Sequence, residues 1–293
     1  MSRKFWLAVV AMGVLGTVLP VQAQSRENAA AMVSFQLPSP GALLNAFVYV
    51  AAGPGPHPAV ILLHGFPGNE RNLDLAQDIR RAGWDVLYFN YRGSWGSPGD
   101  FSFSHSIEDV ASAIAYLKQP ENAKRLRLDP TRIVLIGHSM GGFMTVQGAA
   151  ADPTVAAVGL ISAADMVQRV PPHLPKQAEP QVIASVSKGL ADEGMAPLAG
   201  CTPESLAKET VAHADEWRFP TKAEALKTRP VLIVTSDDGL APSNDAFAAL
   251  LRKDGDTRVT TTHFATDHSY SDKRLELSKT VLDWLSGLPA APR

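Results

Sequence analysis

Ser139 stands in the run Arg132-Ile133-Val134-Leu135-Ile136-Gly137-His138-Ser139-Met140-Gly141-Gly142-Phe143. A serine hydroxyl is a weak nucleophile at neutral pH. It attacks a carbonyl only when a neighbouring base takes its proton and a third group orients that base. His268, in Thr266-Asp267-His268-Ser269-Tyr270, is the candidate base, and Asp238, in Ser236-Asp237-Asp238-Gly239-Leu240, is the candidate acid. Asp237 and Asp165 are the alternatives for the acid, and His263 for the base. His64 and His138 flank the site and read as turn-shaping residues. The three candidates follow the order nucleophile, acid, base, each just past a predicted parallel strand, so all can converge at one sheet edge.

The local elements explain how Ser139 could be presented. Ile133–Ile136 predicts a strand buried on both faces. The Ala-rich Met144–Ala151 predicts a helix. Ser139 then lies on a sharp strand-to-helix turn, where flanking glycines remove Cβ atoms that would crowd the two backbones. The turn also aims free N–H groups of the helix start at the same spot. An oxyanion needs two such donors. The N–H of Met140 is one candidate. The other comes from His64-Gly65-Phe66-Pro67-Gly68, where Pro67 has no N–H to give and Phe66 is the choice.

The rest of the chain alternates strands and helices. Met32–Leu37 and Leu43–Ala51 form a hairpin signal. Ala59–Leu63, Trp84–Asn90, Val155–Ile161, Val231–Thr235 and Thr257–Phe264 are further strands. Asn72–Ala82, Ser106–Lys118, Ser243–Lys253 and Leu275–Leu285 are helices. This predicts an α/β class with a mostly parallel sheet covered on both faces. Residues 163–229 break the rhythm with a span too long for a loop. Helical segments at Pro180–Glu193 and Pro203–Asp215 make it a small helical cap inserted into a core of residues 24–162 and 230–293. Its Val182, Ile183, Val186, Leu190, Met195 and Leu198 line an apolar pocket or form the core between cap helices.

Composition bounds the class. The chain has 293 residues, 45% hydrophobic and 19% charged, enough for a large core. A formal net charge of −2 gives no reason to expect nucleic acid as a partner. One cysteine, Cys201, precludes an intrachain disulfide. Arg3 and Lys4, the apolar Phe5–Leu19 and the small residues around Ala23 read as a secretory signal over residues 1–23, with the mature chain periplasmic or secreted and not inserted in a membrane. No cofactor loop and no metal-ligand cluster is expected.

With these residues in place, the chain resembles the α/β-hydrolases, nearest their prolyl oligopeptidase-like and dienelactone hydrolase-like branches. The resemblance rests on His64–Gly68, Gly137–Gly142, Asp238 ahead of Pro242, and His268. Asn90–Gly99 and Ile107–Val110 carry it towards those two branches. It implies a serine hydrolase with a small-molecule ester or a short peptide as substrate. Dienelactone hydrolases use cysteine where Ser139 stands. Prolyl oligopeptidases carry a propeller for which there is no room, and a tyrosine where Phe66 stands. These departures favour an esterase over a peptidase or amidase, for which Glu204, Glu209, Asp215 or Glu216 would have to hold a substrate amine. A non-catalytic binding protein on the same fold is the remaining alternative.

Overall fold

The computed structural model describes residues 28–253 and 258–289. The expected signal segment, and Thr257 at the expected start of the last strand, lie outside the described residues. The strands are β1 (Ala31–Ser39), β2 (Ala42–Val50), β3 (His57–Leu63), β4 (Asp85–Phe89), β5 (Leu128–His138), β6 (Ala157–Ile161), β7 (Val231–Ser236) and β8 (Val259–Phe264). They form one sheet in the order β1-β2-β4-β3-β5-β6-β7-β8. The hairpin β1–β2 joins β4 antiparallel, and every pairing from β4 to β8 is parallel.

The helices are α1 (Leu73–Arg81), α2 (Phe103–Lys118), α3 (Pro120–Leu126), α4 (Met140–Ala151), α5 (Glu179–Asp192), α6 (Pro203–Ala212), α7 (Ala214–Trp217), α8 (Phe219–Leu226), α9 (Ala241–Lys253) and α10 (Arg274–Ser286). The near-continuous apolar runs of the central strands feed two cores. Val60 and Leu62 of β3, with Val134 and Ile136 of β5, pack against Leu75 and Ile79 of α1 and Leu277 and Val281 of α10. Ile61 and Leu63, with Ile133 and Leu135, point the other way, towards α2, α4 and α9. Each such buried side chain contributes about 1.5–3 kcal/mol, so the central strands are the most strongly specified part of the fold. The outer strands β1 and β8 keep half-exposed, polar-rich faces, as edges do.

The helix after the elbow begins at Met140, four residues before its Ala-rich part, because Gly141 and Gly142 lie inside the first turn. Two short helices, α3 and α8, were not legible by pattern. Each opens with a proline at its N-terminus, which suits a helix start but masks the short apolar period that follows.

Two sets of contacts bind the loops above the sheet. Arg92 is buried; its Nε donates to Asp109 at 2.7 Å, and its other nitrogens donate to the carbonyls of Pro40 and His105. One guanidinium thus ties the β1–β2 turn, the loop after β4 and the start of α2 together. The segment between β6 and β7 is joined to the same region. Ala199 N–H donates to Gly93 O at 2.7 Å and Phe101 N–H to Ala199 O at 2.9 Å. Glu209 of α6 accepts from the N–H groups of Phe103 and Ser104, both at 2.9 Å, at the N-terminus of α2. A carboxylate there answers the helix dipole as well as two otherwise unpaired donors.

Glu209→Ala leaves those two half-buried donors without their acceptor. The expected loss is about 2 kcal/mol, or a fall in Tm of roughly 4–8 °C for a domain of this size. Differential scanning calorimetry of the variant checks it; an unchanged Tm would mean that water replaces the carboxylate at no cost.

Candidate active site

The site is built on a crossing with no spare volume. A Cβ on Gly137 would lie 1.9 Å from Gly141 O, and one on Gly141 would lie 2.0 Å from Leu63 O. A Cβ on Gly142 would meet Ala163 Cβ at 2.4 Å. Strand β5, helix α4 and the end of β3 therefore approach as only glycine permits. Between them Ser139 takes φ 57° and ψ −123°, a backbone conformation that costs a non-glycine residue about 1–3 kcal/mol. Hydrogen bonds on both sides hold it there. Its N–H donates to Ile161 O at 3.0 Å, and its O accepts from Gly142 and Ala164.

Asp238 follows β7 and His268 follows β8. The His268 Nδ1 and Asp238 Oδ2 are 2.7 Å apart, with the carboxylate side chain 5% exposed and the imidazole 40% exposed. Burial alone would raise the Asp238 pKa. The bond to His268, the Leu240 N–H and the hydroxyls of Ser162 and Ser236 outweigh it and hold the carboxyl well below its ordinary range. Asp237 turns the other way and pairs with His263 Nε2 at 3.1 Å. Asp165 accepts from the N–H groups of Val167 and Phe219, and burial raises its pKa. The adjacent aspartates are thus sorted by geometry, and neither Asp237 nor Asp165 faces His268.

Tyr270, Ser162 and Ser236, given no role from the sequence, support this pair, as does His138, expected from the sequence to shape a turn. Tyr270 is fully buried, and its hydroxyl lies 2.8 Å from Ser162 Oγ and donates to Val234 O. Ser162 Oγ is 3.0 Å from Ser236 Oγ. Tyr270 thereby fastens the loop that carries His268 to the ends of β6 and β7, directly beneath Asp238. His138 acts from the other side. Its Nε2 lies 2.8 Å from the carbonyl of His268, so Nε2 carries the hydrogen, and the two rings are 4.6 Å apart.

Ser139, Asp238 and His268 line one cavity of about 430 Å³ with Phe66 and Met140. Gly65 lets the Phe66 turn come close, since a Cβ there would sit 2.9 Å from Ser139 Cβ. Among the described residues, no hydrogen bond occupies the N–H of Phe66 or Met140, so both remain open to an oxygen in the cavity. The opposite wall comes from the segment between β6 and β7: Asp165, Met166, Gln168 and Arg169, then Val186, Gly189, Leu190 and Glu193 on or just after α5, and Thr210 of α6. Of the six apolar residues singled out there, Val186 and Leu190 are buried and line the cavity, and the other four pack against the main core. Arg169 and Glu193 lack a periodic or motif signal, so only the folded arrangement reveals them.

The four acids considered as holders of a substrate amine are engaged elsewhere. Glu204 pairs with Lys208, Glu209 caps α2, Asp215 pairs with Arg218 and Glu216 with His213. Among the described residues, no group of three or more His, Cys, Asp or Glu is placed to hold a metal ion, and no helix is long and apolar enough to cross a membrane.

A mostly parallel sheet with a strained serine between a central strand and its helix defines a class of protein. The sequence model of the alpha/beta hydrolase family matches residues 60–277, well over half of the chain, and the chain belongs to that family. Among curated proteins it is similar to an uncharacterized protein of Mycobacterium tuberculosis, 32% identical over 113 residues, which are 38% of each chain. It is also similar to the quorum-quenching protein AidA of Acinetobacter baumannii, 29% identical over 120 residues. The chain spans 38% of the length of these relatives. Among solved structures, Est1E from Butyrivibrio proteoclasticus has a TM-score of 0.64 at 18% identity, over 87% of this chain and 98% of that one. The acylaminoacyl peptidase of Pyrococcus horikoshii has a TM-score of 0.64 at 18% identity, over 90% of this chain and 42% of that one. At that identity the likeness shows the fold.

Two buried histidines give the fold an acid limit. Burial is the main cause that lowers the His64 pKa to about 4 and the His138 pKa to about 3. Between about pH 6.5 and 4 the unfolded chain holds protons on these rings that the folded chain does not. The rings' contribution to stability therefore falls as pH falls, by up to about 1.4 kcal/mol per pH unit for each ring. It is partly offset by Asp85, whose carboxyl pKa is raised by burial to about 7 and which takes up a proton in the folded chain over the same range. Urea midpoints are expected to be level above pH 7 and to drop from pH 6.5 to 4.5. His138→Gln should flatten that slope, and an unaltered slope would assign the acid limit to other groups.

Proposed function

We propose that this protein is a serine hydrolase that cleaves carboxylic esters through an acyl-enzyme. The observation that carries the reading is the 2.7 Å His268–Asp238 bond in the same cavity as the strained Ser139. In this reading His268 Nε2 takes the Ser139 proton as Oγ attacks the acyl carbon. Asp238 holds the ring with Nδ1–H towards itself and stabilises the imidazolium that forms. The N–H groups of Phe66 and Met140 take the charge on the carbonyl oxygen. The intermediate collapses, the ester C–O bond breaks, and the alcohol leaves with the proton from His268. Water then adds by the same route, its proton passing to His268 and back to Ser139 as the acid is released. The ester reading is preferred over an amide because the four acids expected to hold a substrate amine, Glu204, Glu209, Asp215 and Glu216, do not line the cavity.

Fluorophosphonate labelling read by mass spectrometry tests the nucleophile. The expected label is on Ser139, and Ser139→Ala should lose both the label and ester turnover. Asp238→Asn should lower kcat by roughly 10³–10⁴, since the ring loses its correct tautomer. Retained turnover in Ser139→Ala would sink the reading.

The proposal extends to location. The basic, apolar and small-residue order of residues 1–23 supports export with cleavage after Ala23. N-terminal sequencing of the protein from a periplasmic or culture fraction should begin at Gln24; an intact Met1 in that fraction would overturn cleavage.

A further inference from the structure

We infer that the substrate carries an anionic group, a carboxylate in the simplest case, and that Arg169 holds it. This inference rests on the ester-hydrolase reading and names the substrate class for that site.

Arg169 lines the same cavity as Ser139, Met140 and His268. It lies in the turn that follows β6, while the wall facing it belongs to α5. Among the described residues, no carboxylate lies within ion-pair distance of its guanidinium, and no side-chain or backbone oxygen accepts from it. Arg169 is exposed, and the end of its side chain lies against α5. A Cβ on Gly189, in the middle of α5, would lie 2.0 Å from Arg169 Nη1. Glycine inside a helix is unfavourable relative to alanine. Here its missing side chain makes the seat along which the guanidinium lies. A planar fork with its donors unspent, set in the wall of a concave site, matches a carboxylate in both charge and geometry.

Among the described residues that line the cavity, Arg169 is the one arginine or lysine. Asp238 is paired with His268. Asp165 spends its oxygens on the N–H groups of Val167 and Phe219. Glu193, just past the end of α5, also lines the cavity and would repel an anion, so it is the competing anchor for a cationic group. Phe66, Met166, Val186, Leu190 and Leu240 supply an apolar part of the wall, beside the polar Gln168 and Thr210, that suits the short carbon chain between the ester and the anion. The volume of about 430 Å³ suits a small ester.

The test uses two matched pairs of esters. One pair carries the charge on the acyl side: 4-nitrophenyl hemiglutarate against 4-nitrophenyl pentanoate. The other carries it on the alcohol side: the butanoyl ester of 4-hydroxybenzoate against phenyl butanoate. For at least one pair, kcat/KM of the wild-type enzyme should favour the charged member, allowing for intrinsic reactivity measured with hydroxide. Arg169→Gln should reduce that preference by roughly 10- to 100-fold, mainly through KM, as expected for losing a charge-assisted bidentate contact. Gly189→Ala keeps the charge but fills its seat. It should also reduce the preference while the Tm holds or rises, so a loss cannot be ascribed to unfolding. The preference should weaken with added salt.

Equal turnover of charged and neutral members in both pairs would overturn the inference while leaving the ester reading intact. So would a preference that survives both substitutions. A preference for an ammonium-bearing ester that is lost in Glu193→Gln would overturn it and move the anchor to Glu193. Absence of turnover for all four esters would remove the ester-hydrolase reading, and this inference with it.

Discussion

The constraint on which this structure depends is the crossing of β5, α4 and the end of β3, where backbones touch without intervening side chains. Gly137, Gly141, Gly142 and Gly65 each occupy a place where a Cβ would collide with backbone or with Ser139 itself. An alanine at Gly137 or Gly141 would have to displace backbone in a closely packed core. The strain at Ser139 persists because its neighbours are fixed. β5 is held between β3 and β6, and both of its faces are buried in separate cores. A local cost of about 1–3 kcal/mol is small against the burial of these strands, so the turn cannot relax without disturbing the centre of the sheet.

From that crossing the rest of the arrangement follows by register. Parallel strands all end at the same edge, so the residues just past β3, β5, β7 and β8 are brought together. The loops there are long enough to wander. Tyr270 limits one of them by reaching back to Ser162 and Val234, and His138 holds the carbonyl of His268 from the opposite side. The segment between β6 and β7 is fixed in turn. Trp217 packs against Phe103 and Phe143, Arg229 donates to the carbonyls of Ala149 and Asp152, and Gln147 donates to Trp217 O. Its wall over the cavity is therefore part of the same packed body as α2 and α4.

What could be read from the sequence divides along the range of the interactions. Ser139, its glycines and the strand–helix alternation are encoded by neighbours in the chain, and those expectations match the sheet and most of its helices. The Ser162–Tyr270 contact joins residues 108 positions apart. Nothing in the pattern around Tyr270 distinguishes it from an ordinary buried aromatic. The sorting of Asp237 from Asp238 depends on which side of β7 each emerges and on His263 in β8 being there to receive Asp237. Arg169 sits in a turn without periodicity, and Gly189 would pass as a weak point in a helix until the guanidinium is seen against it.

The burial of His138 has a consequence for the proposed base beside it. Its Nε2–H is committed to the His268 carbonyl, its Nδ1 is buried without a partner, and burial drives its pKa to about 3. The ring is therefore neutral throughout the pH range in which an imidazole base operates. If it were charged, a cation would stand with its ring centroid 4.6 Å from that of His268. In the proposed cycle His268 becomes a cation at the moment of attack, and a like charge at that distance would oppose it. Asp238, on the Nδ1 side, is instead held ionised by its hydrogen bonds. One neighbour is kept neutral by burial and the other is kept charged by bonding. Neither neighbour therefore sets a second positive charge beside the ring on which the proposed cycle places one.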